Sequence, residues 1–532
     1  MRLLQHAARA MMPSAVVLVL AAMAVSCTGK STTQTAGGGA AANLPANSWV
    51  VPVDVANATA SPGPSQSPGP SQSDWSNFAW QTFTALNWPA AAPSPAPSAS
   101  PSAPQSGVSG LPDTTLAIGA SASNNAMIPT VWVTYRSDGN TMLAGAQNPG
   151  AWTADPNPLP CGVPSASPYP VAPGFNPMIL NMASKLGNVE EAFSDAPLIQ
   201  QTGWYATYDI RLDMSEYTYI QQNGYYNGAT QQAAFPASPA PPTFVGFPKS
   251  GQESMFNPPL PQLAQFGALE VKASWRVLDP NADQAVIPRY YTQTGYFIQP
   301  DGSCSPPTLF GLTGMHILRL TPTTGATWFW ATFEQVDNVT APPNSPEPAT
   351  FATAGTPNGN CTAQYNTAPP GLTGNVPWNN KNAPVNVCRV TNIGSAVAAI
   401  NQTWQTNLAG TVWANYLLVD TINPSVPGGP SYSIPVTTAT VNTNILANTT
   451  METYFQGQPF GKSCMDCHAS GGFPQGAPQT PSFQVFSFVL GDAATPPPPG
   501  AKALVRAAPA HRAHRLPKKL VDSIVYTLKH HK

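Results

Sequence analysis

Trp75, Phe78, Phe83 and Leu86 recur at helical spacing, with Asp74 placed to cap the start and Pro89 to end the run. From about residue 200 the period changes to two. Trp204 to Leu212 is aromatic and aliphatic, suited to a sheet. Leu269, Val271, Ala273, Trp275 and Val277 then alternate with Glu270, Lys272, Ser274 and Arg276, the pattern of a half-buried strand. Tyr290 to Ile298, Leu309 to Leu320 and Thr327 to Val336 read as three more strands, and the short turns between them favour antiparallel pairing. Beyond Val390 the pattern predicts a helix over Ser395 to Asn407 and a strand over Thr411 to Val419. A short helix over Leu446 to Gln456 and a last helix from Pro517 to Lys529 follow.

Two stretches carry no such pattern. Residues 28–74 hold Gly37-Gly38-Gly39 and a near-repeated Ser-Pro-Gly-Pro run, a flexible tether by composition. A Pro/Ser-rich insert at 90–107 lies between folded-looking segments and reads as a surface loop. The N-terminal segment has Arg2 and Arg9 before an apolar run, Val16 to Val25, that is too short to span a bilayer. Ala24-Val25-Ser26-Cys27 resembles a bacterial lipoprotein box, which makes Cys27 the expected lipid anchor; ordinary signal cleavage near Cys27 is the alternative. Thr28 after the Cys suits outer-membrane retention.

Composition narrows the partners. Of the 532 residues only 9% are charged, and the net charge of -2 excludes a general nucleic-acid binder. The basic stretch from Lys502 onward is the exception, and suits an acidic redox partner or anionic lipid.

The chemistry is concentrated at Cys464-Met465-Asp466-Cys467-His468. Two thiols at this spacing add across the haem vinyl groups, and the adjacent His meets iron from the proximal side. A redox disulfide lacks its βαβ surround, and a zinc site lacks a second ligand pair nearby. The expected cofactor is therefore one covalent haem c, with Cys464 and Cys467 as thioethers and His468 as proximal ligand. Cys161, Cys304, Cys361 and Cys388 remain as an even set in an oxidising compartment, and Cys361–Cys388 with Cys161–Cys304 is the favoured pairing. No Met follows Met465, so the sixth iron ligand stays open. His316 and Met451 are the candidates; Met315 would face away from His316, while His511, His514, His530 and His531 lie in or after the basic stretch. Glu334, Asp337 and Asn338 are further candidates for lining a pocket.

The expected fold class is α+β, a large mainly antiparallel β-rich body with flanking helices followed by a small helical c-type haem segment. The expected boundaries are 1–27 for the signal, 28–74 for the tether, 75–440 for the body and 441–532 for the haem segment. Four stretches resemble a family of bacterial envelope proteins labelled cytochrome c family proteins. They are Phe78 to Pro89, Gly311 to Ile317, Thr327 to Asn338, and Asn448 to Phe455 with the Cys-x-x-Cys-His motif behind it. The resemblance implies haem-based electron transfer in the cell envelope. It carries over Cys464, Cys467 and His468, and marks His316 as a shared position with no assigned role. The expectation is a periplasmic or outer-membrane-associated lipoprotein that passes electrons to a redox partner. The alternative is a haem-dependent oxidoreductase with its active site in the β-rich body.

Overall fold

Helix α1 spans Gln72–Leu86 and starts on a capping box. The Ser71 hydroxyl accepts from the Asp74 backbone N–H at 3.2 Å, and the Asp74 carboxylate accepts from the Ser71 N–H at 2.8 Å. Asp74 is thus the reciprocal partner in the first turn and Ser71 the cap, three residues earlier than the apolar pattern implied. The computed structural model describes residues 44–56, 70–92, 109–121, 126–152, 170–180, 197–235, 245–297, 305–324, 328–344, 347–356, 361, 365–369, 382–422, 446–454, 456, 468 and 487–496. All of them fall in one compact unit, Gly38–Lys532.

The architecture is α+β, built on one eight-stranded sheet. Its strands are β1 (Arg136–Ser137), β2 (Met178–Leu180), β3 (Thr207–Leu212), β4 (Leu269–Leu278), β5 (Thr292–Phe297), β6 (Thr308–Arg319), β7 (Phe329–Gln335) and β8 (Tyr416–Ile422). The central strand is β6. It pairs along its length with β4, while its other edge is shared by β5 at one end and by β7, then β8, at the other. The pairing is antiparallel except where β2 joins β5 in parallel. A register shift opposite Ser274 and Trp275 inserts an extra residue at Thr313 of β6. This bulge puts Leu312 and Met315 on the same face, a relation that strict alternation forbids.

One face of the sheet meets α1 and α4 (Ser395–Asn407) in a core of interlocked rings. Phe83 stacks on Phe333 at 4.2 Å, Trp75 stacks on Phe329 at 5.3 Å, and Trp80 lies parallel to Trp404 at 6.0 Å. Such pairs contribute roughly 0.5–1.5 kcal/mol each beyond the area they bury. The other face is covered by α2 (Met214–Gln222), by residues 446–454 and by the segment around Val489 and Leu490. Helix α3, Gly228–Ala234, lies beyond α2. Because both faces are covered, β4 is buried on both sides: Glu270, Ser274 and Arg276 are as enclosed as the apolar residues between them, and only Lys272 is half-exposed. The half-buried strand expected from alternation is a fully buried one with polar partners.

Three further segments depart from the expected pattern. Within the expected tether, Val51 and Val55 join the core, Trp49 meets Trp88 edge-on at 5.7 Å, and Asp54 accepts two bonds from Thr323. The expected strand from Thr411 begins instead as a turn, Val412–Asn415, capped by the Thr411 hydroxyl, and β8 follows it. Residues 446–454 form successive turns in place of a helix. The Asn448 side chain accepts from the N–H and hydroxyl of Thr450, at 2.9 and 2.7 Å, and donates to Phe333 at 2.9 Å. Asn and Thr side chains offer the backbone local bonds that compete with a helical ladder. Cys361 and Cys388 stand at disulfide distance with Cα atoms 5.8 Å apart. Cys27, Cys161, Cys304, the insert's middle and the C-terminal helix lie outside the described residues. No helix among the described residues is long and apolar enough to cross a membrane.

Candidate functional site

The face of the sheet away from the aromatic core changes character along β6. Leu318, with Trp330 beside it, belongs to an apolar cluster that includes Leu212, Trp328, Leu446 and Val489. His316 comes next, paired across to Lys272 on β4 and to Thr332 on β7. Then comes Gly314, over which the Asn448–Glu452 turn lies so closely that a Cβ would meet Ser274 Oγ at 2.8 Å and Asn448 Oδ1 at 3.0 Å. Only a residue without a side chain permits that approach.

The turn is held by buried polar contacts. Thr450 shares a hydroxyl bond with Ser274 at 2.6 Å, and its carbonyl accepts from the Tyr208 hydroxyl at 2.7 Å. Glu334 accepts from the Thr449 N–H and, at 2.6 Å, from the Arg389 guanidinium. Arg389 follows Cys388 in the chain, and Gln456 accepts from the Val390 N–H at 3.0 Å and donates to the Cys388 carbonyl at 3.3 Å. The chain that runs on to residue 464 is therefore anchored to the sheet at several points, all directional. The three residues considered as pocket liners have structural partners here. Glu334 is bound as described, Asp337 takes two bonds from Arg289 at 2.6 and 2.7 Å, and Asn338 donates to the Thr313 carbonyl at 2.7 Å.

His316 is buried, and its Nε2 faces the Glu452 carboxylate at 3.4 Å without the alignment of a hydrogen bond. Burial pushes the Glu452 carboxyl up. His316, Lys272 and the Asn448 N–H together outweigh it and hold the group below the ordinary carboxylate range. Met315 points the opposite way, into the aromatic core, where the Asn87 amide meets its sulfur at 3.8 Å. Met451 is buried in a third cluster with Leu198, Tyr208 and Phe351, apart from the cluster that holds Trp330. His511, His514, His530, His531 and the two motif cysteines, Cys464 and Cys467, lie outside the described residues.

His468 is described, and its position is informative. Its imidazole meets the Trp330 indole edge-on at 4.3 Å and the Phe488 ring edge-on at 4.7 Å. His316 meets the same indole at 6.1 Å. Two histidines separated by 152 positions in the chain thus share one tryptophan on the sheet. No protein-family model, curated protein or solved structure matches this chain. The site therefore has to be read from its own atoms.

No group of three His, Cys, Asp or Glu side chains among the described residues is arranged to hold a bare metal ion. A porphyrin held by its own thioether links asks for something else: one or two imidazoles and an enclosure with polar donors. His316 Nε2, Trp330 Nε1 and Thr332 Oγ1 are buried without a hydrogen-bond partner, and all three belong to neighbouring positions on this face. Leaving such an atom unpaired costs about 1–3 kcal/mol, and these three lie within one small patch of the face that His468 meets. With His468, these are the side chains that a haem group beside Trp330 would meet.

Farther along lies a cluster of buried carboxyls, Glu216, Glu270 and Asp213. Glu216 of α2 is fully buried, and burial together with Glu270 and Asp213 pushes its carboxyl well above the ordinary range. Burial also lifts Asp213 to about 8, against three backbone N–H groups that favour its ionised form. Trp330, Phe488, Glu452 and Arg389 were not singled out by sequence patterning. Trp330 and Glu452 do lie inside two of the stretches that carry the family resemblance.

Proposed function

We propose that this chain is an exported c-type cytochrome carrying one haem c, bound through Cys464 and Cys467, with His468 as the proximal iron ligand. The observation that carries this reading is the position of His468, the last residue of the Cys-x-x-Cys-His motif, against Trp330 of the sheet. Haem c there would supply a one-electron iron couple. The chain's own residues then divide the work. His468 would hold the iron, Trp330 and Phe488 pack edge-on against its half-buried imidazole, and the Glu334–Arg389 pair fixes the approach to the motif. The function that follows is electron transfer in the cell envelope. Cys27 as a lipid anchor would confine the protein to a membrane surface, periplasmic or outer-membrane-associated, and raise its encounter rate with a redox partner there. The basic stretch from Lys502 suits an acidic partner.

A second reading, a haem-dependent oxidoreductase, is favoured by one specific observation. His316 and Glu452 form a buried ionisable pair next to Trp330, with half-exposed Lys272 acting on the carboxylate, and ionisable groups so placed are suited to moving protons.

The visible spectrum of the purified protein, oxidised and reduced, with and without carbon monoxide, separates the two. A low-spin spectrum indifferent to carbon monoxide supports electron transfer, and His316→Ala and Met451→Ala then show which residue is sixth. A high-spin spectrum that takes up carbon monoxide favours the oxidoreductase. Haem that stays bound through denaturing electrophoresis in Cys464→Ala, Cys467→Ala and His468→Ala variants alike would sink the assignment of the motif.

A further inference from the structure

We propose that Trp330 is a positioning residue of the His468 imidazole, so that the β-rich body, together with Phe488 of the haem segment, sets the plane of the iron ligand. The inference rests on the reading of His468 as the proximal ligand. Three observations lead to it. First, Trp330 is held rigidly. It lies on β7 between β6 and β8, is 1% exposed, and is paired by backbone register with Leu318 on one side and Ile422 on the other. Second, the contact is geometric and two-sided. Trp330 and Phe488 both meet the imidazole edge-on, at interplanar angles of 66° and 72°, which restricts rotation of the ring about its own bond. Third, Trp330 belongs to the body while His468 and Phe488 belong to the haem segment. A ring from β7 therefore completes a clamp that the segment cannot form alone.

A neighbour that walls one edge of an imidazole leaves it fewer orientations. An axial imidazole plane governs how unpaired spin spreads over a porphyrin. The pattern of paramagnetically shifted haem-methyl resonances in the oxidised protein therefore reads the clamp directly. Loss of packing alone does not move that pattern in a defined way.

The experiment uses the full-length haem-loaded protein and four variants: Trp330→Phe, Trp330→Leu, Phe488→Leu and, as a control, Trp275→Phe. Trp275 is fully buried on the opposite face of the sheet, stacked on Trp132 at 5.7 Å. Each protein is scored for covalent haem after denaturing electrophoresis, for thermal midpoint and for its haem-methyl spectrum. With haem attached throughout, Trp330→Leu and Phe488→Leu are expected to reorder the methyl shifts. Trp330→Phe should retain most of the pattern, because it keeps a ring edge, and Trp275→Phe should lower the midpoint without changing the spectrum. Methyl patterns of Trp330→Leu and Phe488→Leu that superpose on the parent overturn the positioning role while leaving the haem assignment standing. Should Trp330→Leu not fold, Phe488→Leu and Trp330→Phe decide the matter by the same criterion. A parent protein with no covalent haem overturns both the inference and the reading beneath it.

Discussion

The two faces of the central sheet are equally dry and are built on different physics. On the face against α1 and α4, Phe83, Trp80, Trp75, Phe329 and Phe333 interlock as rings, and the attraction is short-range and largely non-directional. On the other face Ser274, Thr450, Asn448, Glu334 and Arg389 are joined by aimed bonds, most of them to a chain segment more than a hundred residues away. A buried ring needs only neighbours of the right shape. A buried polar atom needs one named partner in one direction. Buried polar atoms without a hydrogen-bond partner occur on both faces, Trp75 Nε1 and Trp275 Nε1 on the first and His316 Nε2, Trp330 Nε1 and Thr332 Oγ1 on the second, and only on the second do they adjoin the motif histidine His468.

The contrast can be broken at either face. The largest effect is expected from Phe83→Ala, which opens a hole beneath Phe333 and Trp413. A loss of about 4 kcal/mol in denaturant unfolding is expected, with little change in the haem spectrum. Glu334→Gln should cost about 3 kcal/mol, because the Arg389 charge stays buried without its counterion. The double replacement Glu334→Leu with Arg389→Met should recover more than half of that. A double variant no better than the single would mean that the pair is not the stabilising unit. Gly314→Ala should cost about 2 kcal/mol by pushing the Asn448–Glu452 turn off the sheet, and should disturb the haem spectrum more than Phe83→Ala does.

The smallest expected effect sharpens the comparison by pH. Glu216 and Asp213 bind their protons more tightly when folded than when unfolded. Their contribution to stability is full in acid and declines as pH rises from about 4 towards the value of about 8 reached by Asp213. Glu216→Gln should flatten that decline in a series of thermal midpoints. Glu452 has the opposite sign: its lowered value means stability lost as pH falls through the acid range. An unchanged slope in Glu216→Gln would show that the cluster does not hold its proton.

Much of the first face was legible in the chain. Helical spacing of Trp75, Phe78, Phe83 and Leu86 marks α1, and alternation marks β4, because periodicity records which side of an element is apolar. The second face was legible only in fragments. Glu270, Ser274 and Arg276 look like solvent positions by their chemistry, and nothing local tells that Thr450 and Tyr290 will meet them. The stretch 446–454 reads as helical by its residue types until the Asn448 side chain is seen to take the bonds a helix would use. The bulge at Thr313 likewise breaks the alternation that separates Met315 from Leu312.

The sequence by itself determined the mainly antiparallel β-rich character of the body and its leading helix, because each rests on spacing within a few residues, and the same local spacing at Cys464, Cys467 and His468 is what suggests the proposed haem attachment. Tertiary structure alone decided that His468 meets Trp330, that His316 faces Glu452, and that the turn before the motif is anchored to Ser274 and Glu334. Those contacts join residues from about 115 to 176 positions apart, and at such separations only the packing of the whole sheet brings the partners together.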